Sequence, residues 1–271
     1  MMLPDMMRPA SVALVALLLC CTGARADSNG IFVPLPNKMD DSVALKSDDL
    51  NFTLIPSGRS NSILVWGAIN KGDALRFSAA ITAAKPINEI LFYSPGGNLY
   101  EGFKIGAMIR RGGFTTRVPE GARCISACNF AFMGGVMRIV DPGATFEVHM
   151  FSNGMADRLH DEIVKPPHSV TEFNKRHPNM QLDPDKVDNA VAELKQKDPQ
   201  ATVPDFLIPL AIEDDVKDIQ QDAAQVAADI AQYLVQMRLS LDFLTEFADI
   251  PNNKKRALTR EELHQFNIIN N

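Results

Sequence analysis

Hydrophobic and polar positions follow two alternating periods between residues 62 and 150 of this chain. Apolar runs suited to buried strands are each followed by a stretch with the 3.6-residue repeat of a helix, and turn residues separate them. Strands that alternate with helices of this length predict an α/β domain with a mostly parallel sheet. The predicted strands are 62–69, 89–93, 114–118, 136–140 and 146–150, and the predicted helices are 73–84, 99–111 and 125–133.

The sequence before and after this core is less regular. Residues 27–61 form a turn-rich N-terminal extension, in which alternating stretches at 43–45 and 52–55 predict edge strands. Residues 152–215 are polar, rich in Pro, Asp, Lys and His, and helical in pattern between 185 and 197. The composition predicts an insertion that runs over the surface as a lid, an interaction loop or a mobile segment.

Residues 216–271 are expected to complete the same domain with helices. An amphipathic stripe along residues 216–237 predicts a long helix that packs on the core, or alternatively one that joins copies into a homo-oligomer. Thr259 followed by Glu262 is the capping-box pattern that starts a helix. The two shorter predicted helices are 242–248 and 259–266.

The first 26 residues have the pattern of a signal peptide. Arg8 supplies the positive charge, residues 10–21 form the apolar segment, and residues 24–26 are a small-x-small cleavage site. The segment is too short to remain as a membrane-spanning helix, and no later stretch reaches 18 apolar residues. We therefore expect a soluble protein in the periplasm; an uncleaved anchor and a lipidated cysteine are the alternatives.

The charge of the chain restricts which partners it can bind. Lys and Arg number 27 against 33 Asp and Glu, and no basic cluster occurs, which argues against binding to nucleic acid or to an anionic membrane surface.

Only two cysteines, Cys124 and Cys128, lie beyond the signal segment. On a helix their Cα atoms would be about 6 Å apart, so a disulfide is expected in an oxidising compartment. Free thiols are the alternative, and a zinc site lacks a second ligand pair.

Four features in chain order point to acyl-transfer chemistry. They are the Ser-Pro-Gly-Gly turn at 94–97, Ser126 at the head of a short apolar helix, a Gly-Gly pair at 134–135 followed by Arg138, and His149 at a strand end. A glycine turn and a helix start both present free backbone N–H groups, which together form an oxyanion hole. A serine beside them can act as nucleophile, and a histidine can accept its proton.

These features resemble the ClpP/crotonase-like superfamily, and in particular the proteolytic subunit of the Clp protease and predicted periplasmic ClpP-like proteins of alphaproteobacteria. The resemblance is strong over residues 62–151 and weak over 216–271, where it rests on 258–263 and 266–269. It implies a spiral of ββα units with a mostly parallel sheet and C-terminal helices, and it implies no cofactor and no metal.

Matched residue by residue, the resemblance assigns four positions of a hydrolase site. Ser126 is the nucleophile, His149 the general base, and the N–H groups of Gly97 and Ala127 form the oxyanion hole. The family's third residue, an aspartate, is replaced here: the alignment places Lys255 at its position.

Other residues are candidates for the role of the missing aspartate. Asp249 and Asp242 are the nearest acids, and a serine-lysine dyad with Lys165 is a second mechanism. The remaining histidines lack a neighbouring acid or cysteine pattern and are expected in solvent. They are His160, His168, His177 and His264.

The sequence therefore predicts a periplasmic serine hydrolase, a peptidase acting on peptide or protein substrates. The alternative is a binding or assembly module that keeps the fold without catalysis. A Cys124–Cys128 disulfide around Ser126 fits either, because it would hold the nucleophile rigidly or distort the start of the helix.

Overall fold

The computed structural model describes residues 30–150, 155–251 and 254–271. The chain divides into two compact units, of which the first holds the described residues up to Met150 together with Tyr233–Asn271, and the second is Phe151–Gln232. The predicted signal peptide lies outside the described residues. No helix in the described part is both long and apolar enough to cross a membrane.

The first unit is a mixed α/β structure. Its strands are β1 (Asn51–Ser57), β2 (Ser60–Trp66), β3 (Ile87–Tyr93), β4 (Thr115–Val118), β5 (Arg123–Ile125), β6 (Met137–Val140), β7 (Thr145–Val148) and β8 (Arg256–Ala257). Its helices are α1 (Asp41–Ala44), α2 (Asp73–Ala83), α3 (Leu99–Gly112), α4 (Ala127–Met133), α9 (Asp242–Ala248) and α10 (Arg260–Gln265).

Two sheets organise these strands. One has the order β1-β2-β3-β4-β6, in which β1 is antiparallel to β2 and the other pairs are parallel. The other has the order β5-β7-β8, with β5 parallel and β8 antiparallel to β7. A single bridge between Ser94 and Cys124 connects β3 of the first sheet with β5 of the second. The predicted α/β class with a mostly parallel sheet is thereby confirmed.

Helix α4 is the centre of this unit's core. All seven of its residues are buried, and Phe132 makes edge contacts with Phe92 of β3 at 6.5 Å and with Phe146 of β7 at 5.7 Å between ring centroids. Because burial of each such side chain contributes about 1.5–3 kcal/mol, the helix is fixed between the two sheets. Its first residue therefore occupies a rigid position.

In the first unit, two elements of the structure differ from the prediction. The sequence predicts a strand at residues 43–45, but residues 43 and 44 belong to helix α1 and Leu45 is its C-cap, because the Asp40 carboxylate accepts the Ser42 N–H and caps a helical turn. The predicted helix 125–133 begins only at Ala127, since residues 123–125 pair with β7 as the short strand β5. A three-residue strand is too short to have a period that the sequence pattern can reveal.

The second unit is helical. It contains α5 (Met155–Val164), α6 (Val170–Arg176), α7 (Pro184–Lys197) and most of α8 (Val203–Gln236). The predicted helix 185–197 corresponds to α7. Helix α8 starts 13 residues before the predicted 216, because Pro204 lies in the first turn, where a missing N–H costs nothing. This unit has an apolar cluster whose buried members are Val170, Phe173, Val187, Val191, Leu207 and Ala211.

One histidine of this unit is buried, although the sequence predicts it to lie in solvent. His177 is 3% exposed, and its Nδ1 lies 3.0 Å from Oδ2 of Asp214, a helix α8 residue 37 positions later. The two residues are too far apart in sequence for any local pattern to predict the pair.

Candidate active site

Ser126 occupies a sharp turn between strand β5 and helix α4. Its backbone has φ 58° and ψ −123°, a conformation that costs a residue with a Cβ about 1–3 kcal/mol. The side chain is half-buried, and it forms no hydrogen bond with any described residue. A strained strand-to-helix turn of this type lifts a hydroxyl away from its own backbone, so the Oγ of Ser126 is available for chemistry.

The backbone around Ser126 is anchored to the end of β7. The Ser126 N–H donates to the Glu147 carbonyl at 3.2 Å, and the buried Asn129 side chain donates through Nδ2 to the same carbonyl at 2.7 Å. The Asn129 N–H in turn donates to the Ser126 carbonyl at 2.9 Å. Sequence reasoning missed Asn129, because its side chain acts through a contact with a residue 18 positions away.

The glycine turn after β3 lies directly against Ser126. A Cβ added to Gly96 would be 2.8 Å from the Ser126 Cβ and 2.7 Å from the Ala127 nitrogen, so only glycine fits there. The turn is fixed by Ser94, whose Oγ donates to the Gly67 carbonyl at 2.6 Å and accepts the Gly96 N–H at 3.1 Å. Gly96 belongs to the turn noted in the sequence, but its packing against Ser126 and Ala127 was not predicted.

The two predicted oxyanion donors lie in this region. Ala127 is the first residue of α4 and is buried, and its N–H has no acceptor among the described residues. Gly97 is exposed and follows Gly96, and its N–H likewise has no acceptor in the described part of the chain. The Gly97 backbone pairs with Ile69 rather than with Ser126. Two unpaired donors therefore flank the Gly96–Ser126 contact.

His149 follows strand β7 by one residue and is half-buried. Since Glu147 accepts the Ser126 N–H, His149 lies two residues beyond the backbone position that touches the nucleophile turn. Its Nδ1 contacts the Met150 carbonyl at 2.6 Å. No hydrogen bond joins His149 to Ser126 in the described structure, and catalytic hydrogen bonds are often loose before substrate binds.

No described carboxylate hydrogen-bonds to His149. The ladder between β7 and β8 ends with the pair of Val148 and Arg256. His149 and Lys255 are the next residues beyond this pair on the two chain segments. Asp242 accepts from Ser240 at 3.1 Å.

The two remaining candidates from the sequence are surface groups. Asp249 is exposed. The side chain of Lys165 is 74% exposed and lies 3.7 Å from Asp161 in the second unit.

A disulfide links the residues on either side of Ser126. Cys124 in β5 and Cys128 in α4 are bonded, with a Cα–Cα distance of 5.4 Å, and both are fully buried. The predicted disulfide is present in the structure. It covalently links the strand before Ser126 to the helix after it.

On the face of β5 opposite α4, polar side chains form a network of hydrogen bonds. Arg123 Nε donates to Glu147 at 2.6 Å, and its Nη1 lies 2.9 Å from Asp41 of α1. The Tyr93 hydroxyl donates to the same Asp41 at 2.7 Å. Burial, together with this hydrogen bond to Asp41, raises the pKa of Tyr93. The N-terminal extension thus contributes Asp41 to the support of β5, a role that its sequence does not indicate.

In the described ranges, no group of three or more His, Cys, Asp or Glu side chains is arranged to hold a metal ion.

No family model matches the chain, and no curated protein matches it. Among solved structures it is similar to a mutant of ClpP1 from Listeria monocytogenes, at 15% identity over 77% of this chain and 88% of that chain with a TM-score of 0.40. It is also similar to a mutant of the 1510-N membrane-bound stomatin-specific protease, at 16% identity over 77% of this chain and 75% of that chain with a TM-score of 0.35.

Proposed function

We propose that this chain is a serine hydrolase of ClpP-like fold that cleaves peptide bonds, with Ser126 as nucleophile and His149 as general base. One observation carries the proposal: Ser126 lies in a strained strand-to-helix turn, against Gly96 and beside the unpaired N–H of Ala127. Strain at a non-glycine residue persists only where the surroundings impose it, and such residues cluster at active sites.

The proposed reaction uses groups that lie around this turn. Oγ of Ser126 attacks the carbonyl carbon of the substrate while the His149 imidazole accepts the hydroxyl proton. The negative charge that develops on the carbonyl oxygen is stabilised by the N–H groups of Ala127 and Gly97. The imidazolium then donates its proton to the leaving amine, and water hydrolyses the acyl-enzyme.

The contact of His149 with the Met150 carbonyl supports its assignment as base. A carbonyl oxygen can only accept, so the 2.6 Å contact requires the proton of neutral imidazole to be on Nδ1. Nε2 then carries the lone pair and can accept the serine proton. In this account a backbone carbonyl fixes the tautomer, which is the role of the aspartate in a serine-histidine-aspartate triad.

Labelling with a fluorophosphonate probe tests the assignment of Ser126. The folded, oxidised protein is expected to be labelled, Ser126→Ala to lose the label, and the matched control Ser57→Ala, at an exposed serine of β1, to keep it. Equal labelling of Ser126→Ala and the unaltered protein would remove Ser126 from the mechanism.

A non-catalytic binding module of the same fold is the second candidate. It is favoured by Lys255, which stands in the sequence where the resemblance would require the acid of a triad, next to the last pair of the β7–β8 ladder. A folded protein that binds peptides but neither reacts with the probe nor hydrolyses them would support this alternative.

We further propose that the protein is exported to the periplasm after cleavage following Ala26. The apolar segment at residues 10–21 and the oxidised Cys124–Cys128 pair support this. Fractionation of expressing cells followed by intact-mass measurement should give a periplasmic protein that starts at Asp27. A full-length cytoplasmic protein would contradict it.

A further inference from the structure

Two arginines, Arg110 and Arg238, lie where helices α4 and α8 end, and Arg110 binds carbonyl groups of both ends. Arg110 of α3 donates through Nη2 to the carbonyls of Met133, the last residue of α4, and of Met237, directly after α8, at 3.2 and 3.1 Å. Arg238 follows Met237. Because helix C-termini carry partial negative charge, they favour a guanidinium at this place.

A third arginine lies behind them. Arg138 of β6 is 2% exposed, and its three guanidinium nitrogens donate to the carbonyls of Gly135, Asn267 and Ile268, each at 2.8 Å. Asn267 also donates through Nδ2 to the Arg238 carbonyl at 2.8 Å. The backbone segments that hold the three arginines are therefore linked to one another within the first unit.

The charge of this arginine cluster (Arg110, Arg138 and Arg238) is not compensated by an acid. In the part of the chain that the structure describes, none of the three forms an ion pair with Asp or Glu. Burial and the charge of Arg110 lower the pKa of Arg138 to about 10. Burial, with a contribution from Arg238, lowers the pKa of Arg110. Arg110 therefore repels both Arg138 and Arg238, and a negative charge beside it would stabilise the cluster.

Within this cluster, the guanidinium N–H groups that have no acceptor in the described structure belong to Arg110 and Arg238. Arg110 Nε is enclosed and has no acceptor in the described structure, while its Nη1 is neither enclosed nor hydrogen-bonded there. Arg238 is exposed, and its guanidinium has no partner among the described residues. A guanidinium presents parallel N–H groups that match two oxygens of a carboxylate or phosphate.

We propose that the arginine cluster is a binding site for an oxyanion, a phosphate or carboxylate group, which contacts Arg110 and Arg238 with the charge of Arg138 behind them. A neutral ligand would leave the repulsion uncompensated. The site is at the C-terminal end of α4, the opposite end from Ser126, and does not depend on the proposed hydrolase chemistry.

Titration calorimetry of the full chain with inorganic phosphate, and separately with acetate, at constant ionic strength tests the proposal. We expect binding to the unaltered protein, at least tenfold weaker binding to Arg238→Gln, and unchanged binding to the matched control Arg59→Gln, whose exposed arginine lies in the β1–β2 turn. Arg238→Lys keeps the charge but not the parallel donors, so intermediate binding is expected.

The two anions distinguish the source of the oxyanion. Binding of phosphate alone indicates a phosphate ligand, and binding of both, or of acetate alone, indicates a carboxylate such as that of a peptide. No binding to the unaltered protein, or equal affinities in Arg238→Gln and Arg59→Gln, would overturn the proposal whatever the outcome of probe labelling at Ser126.

Discussion

Gly96 packs so closely against Ser126 that a side chain at position 96 has no room. A Cβ on Gly96 would be 2.8 Å from the Ser126 Cβ and 2.4 Å from the Ile125 carbonyl oxygen, and Gly96 has φ +87°. The glycine turn and the nucleophile turn therefore determine each other's position.

Gly96→Ala should damage both stability and reactivity. The added methyl meets backbone atoms that cannot move independently, so we expect a loss of about 2–4 kcal/mol in the free energy of unfolding and a more than tenfold slower reaction with a fluorophosphonate. Denaturant unfolding and labelling kinetics measure the two effects. The control is Gly58→Ala, which has a similar left-handed φ of +58° but open space around it and should cost only about 1 kcal/mol. Equal effects in both variants would show that the contact with Ser126 is unimportant.

Removal of the disulfide should reduce the reactivity of Ser126 in folded protein. The bridge closes a loop of sequence separation 4, so the double variant Cys124→Ala with Cys128→Ala should lose about 2 kcal/mol of stability. Labelling well below the melting temperature should also be slower, because the turn is no longer held from both sides. A reductant should bring the unaltered protein to the same values and leave the double variant unchanged. Undiminished labelling of the folded double variant would limit the bridge to a stabilising role.

Lys255→Asp should raise activity. The substitution places a carboxylate one residue beyond the last β7–β8 pair, as His149 is on the other strand, and we expect it to orient the imidazole and stabilise its cation. Loss of such an aspartate has cost about 10⁴ in turnover in a serine protease, and recovery of part of this effect, about tenfold in labelling rate, is expected. Lys254→Asp makes the same change in charge one residue away and serves as the control. If both variants react at the unaltered rate, residue 255 does not face the base.

The buried hydroxyl of Tyr233 should make the protein less stable in alkali. It donates to the Phe130 carbonyl, and burial raises the pKa of Tyr233 above its ordinary value near 10. The unfolded chain therefore releases this proton first, so stability is complete below pH 10 and falls as the pH rises beyond it. The expected loss is about 1.4 kcal/mol between pH 9 and pH 11.

Urea unfolding at the two pH values measures this loss. Tyr233→Phe should be less stable by about 1 kcal/mol at pH 9, because a buried carbonyl loses its donor, and should show a smaller decline towards pH 11. An identical decline in both proteins would assign the alkaline effect to other groups.

Much of the first unit is predictable from its sequence, because periodicity reports burial. The strand and helix patterns between residues 62 and 150 correspond to elements of the sheet and its helices, and Thr259 with Glu262 forms the expected capping box. The disulfide also follows from the spacing of its cysteines. The short elements β5 and α1 were not predicted, because neither is long enough to show a period in its sequence.

The supporting residues of the candidate site were less predictable. Asn129, Asp41 and Gly96 act through contacts with residues that are distant in sequence, and such contacts depend on the packing of two sheets. Ser126 and His149 could be selected because residue types and chain order indicate chemistry. Whether they approach each other depends on substrate and on strand register, which composition does not encode.

The most direct measurement is the location of the covalent adduct after reaction of the folded, oxidised protein with a fluorophosphonate. Tandem mass spectrometry of the digested protein should find one adduct, on Ser126, and heat-unfolded protein should carry none. An adduct on another serine, or none on folded protein that retains the Cys124–Cys128 bond, would contradict the assignment of this turn as a hydrolase site.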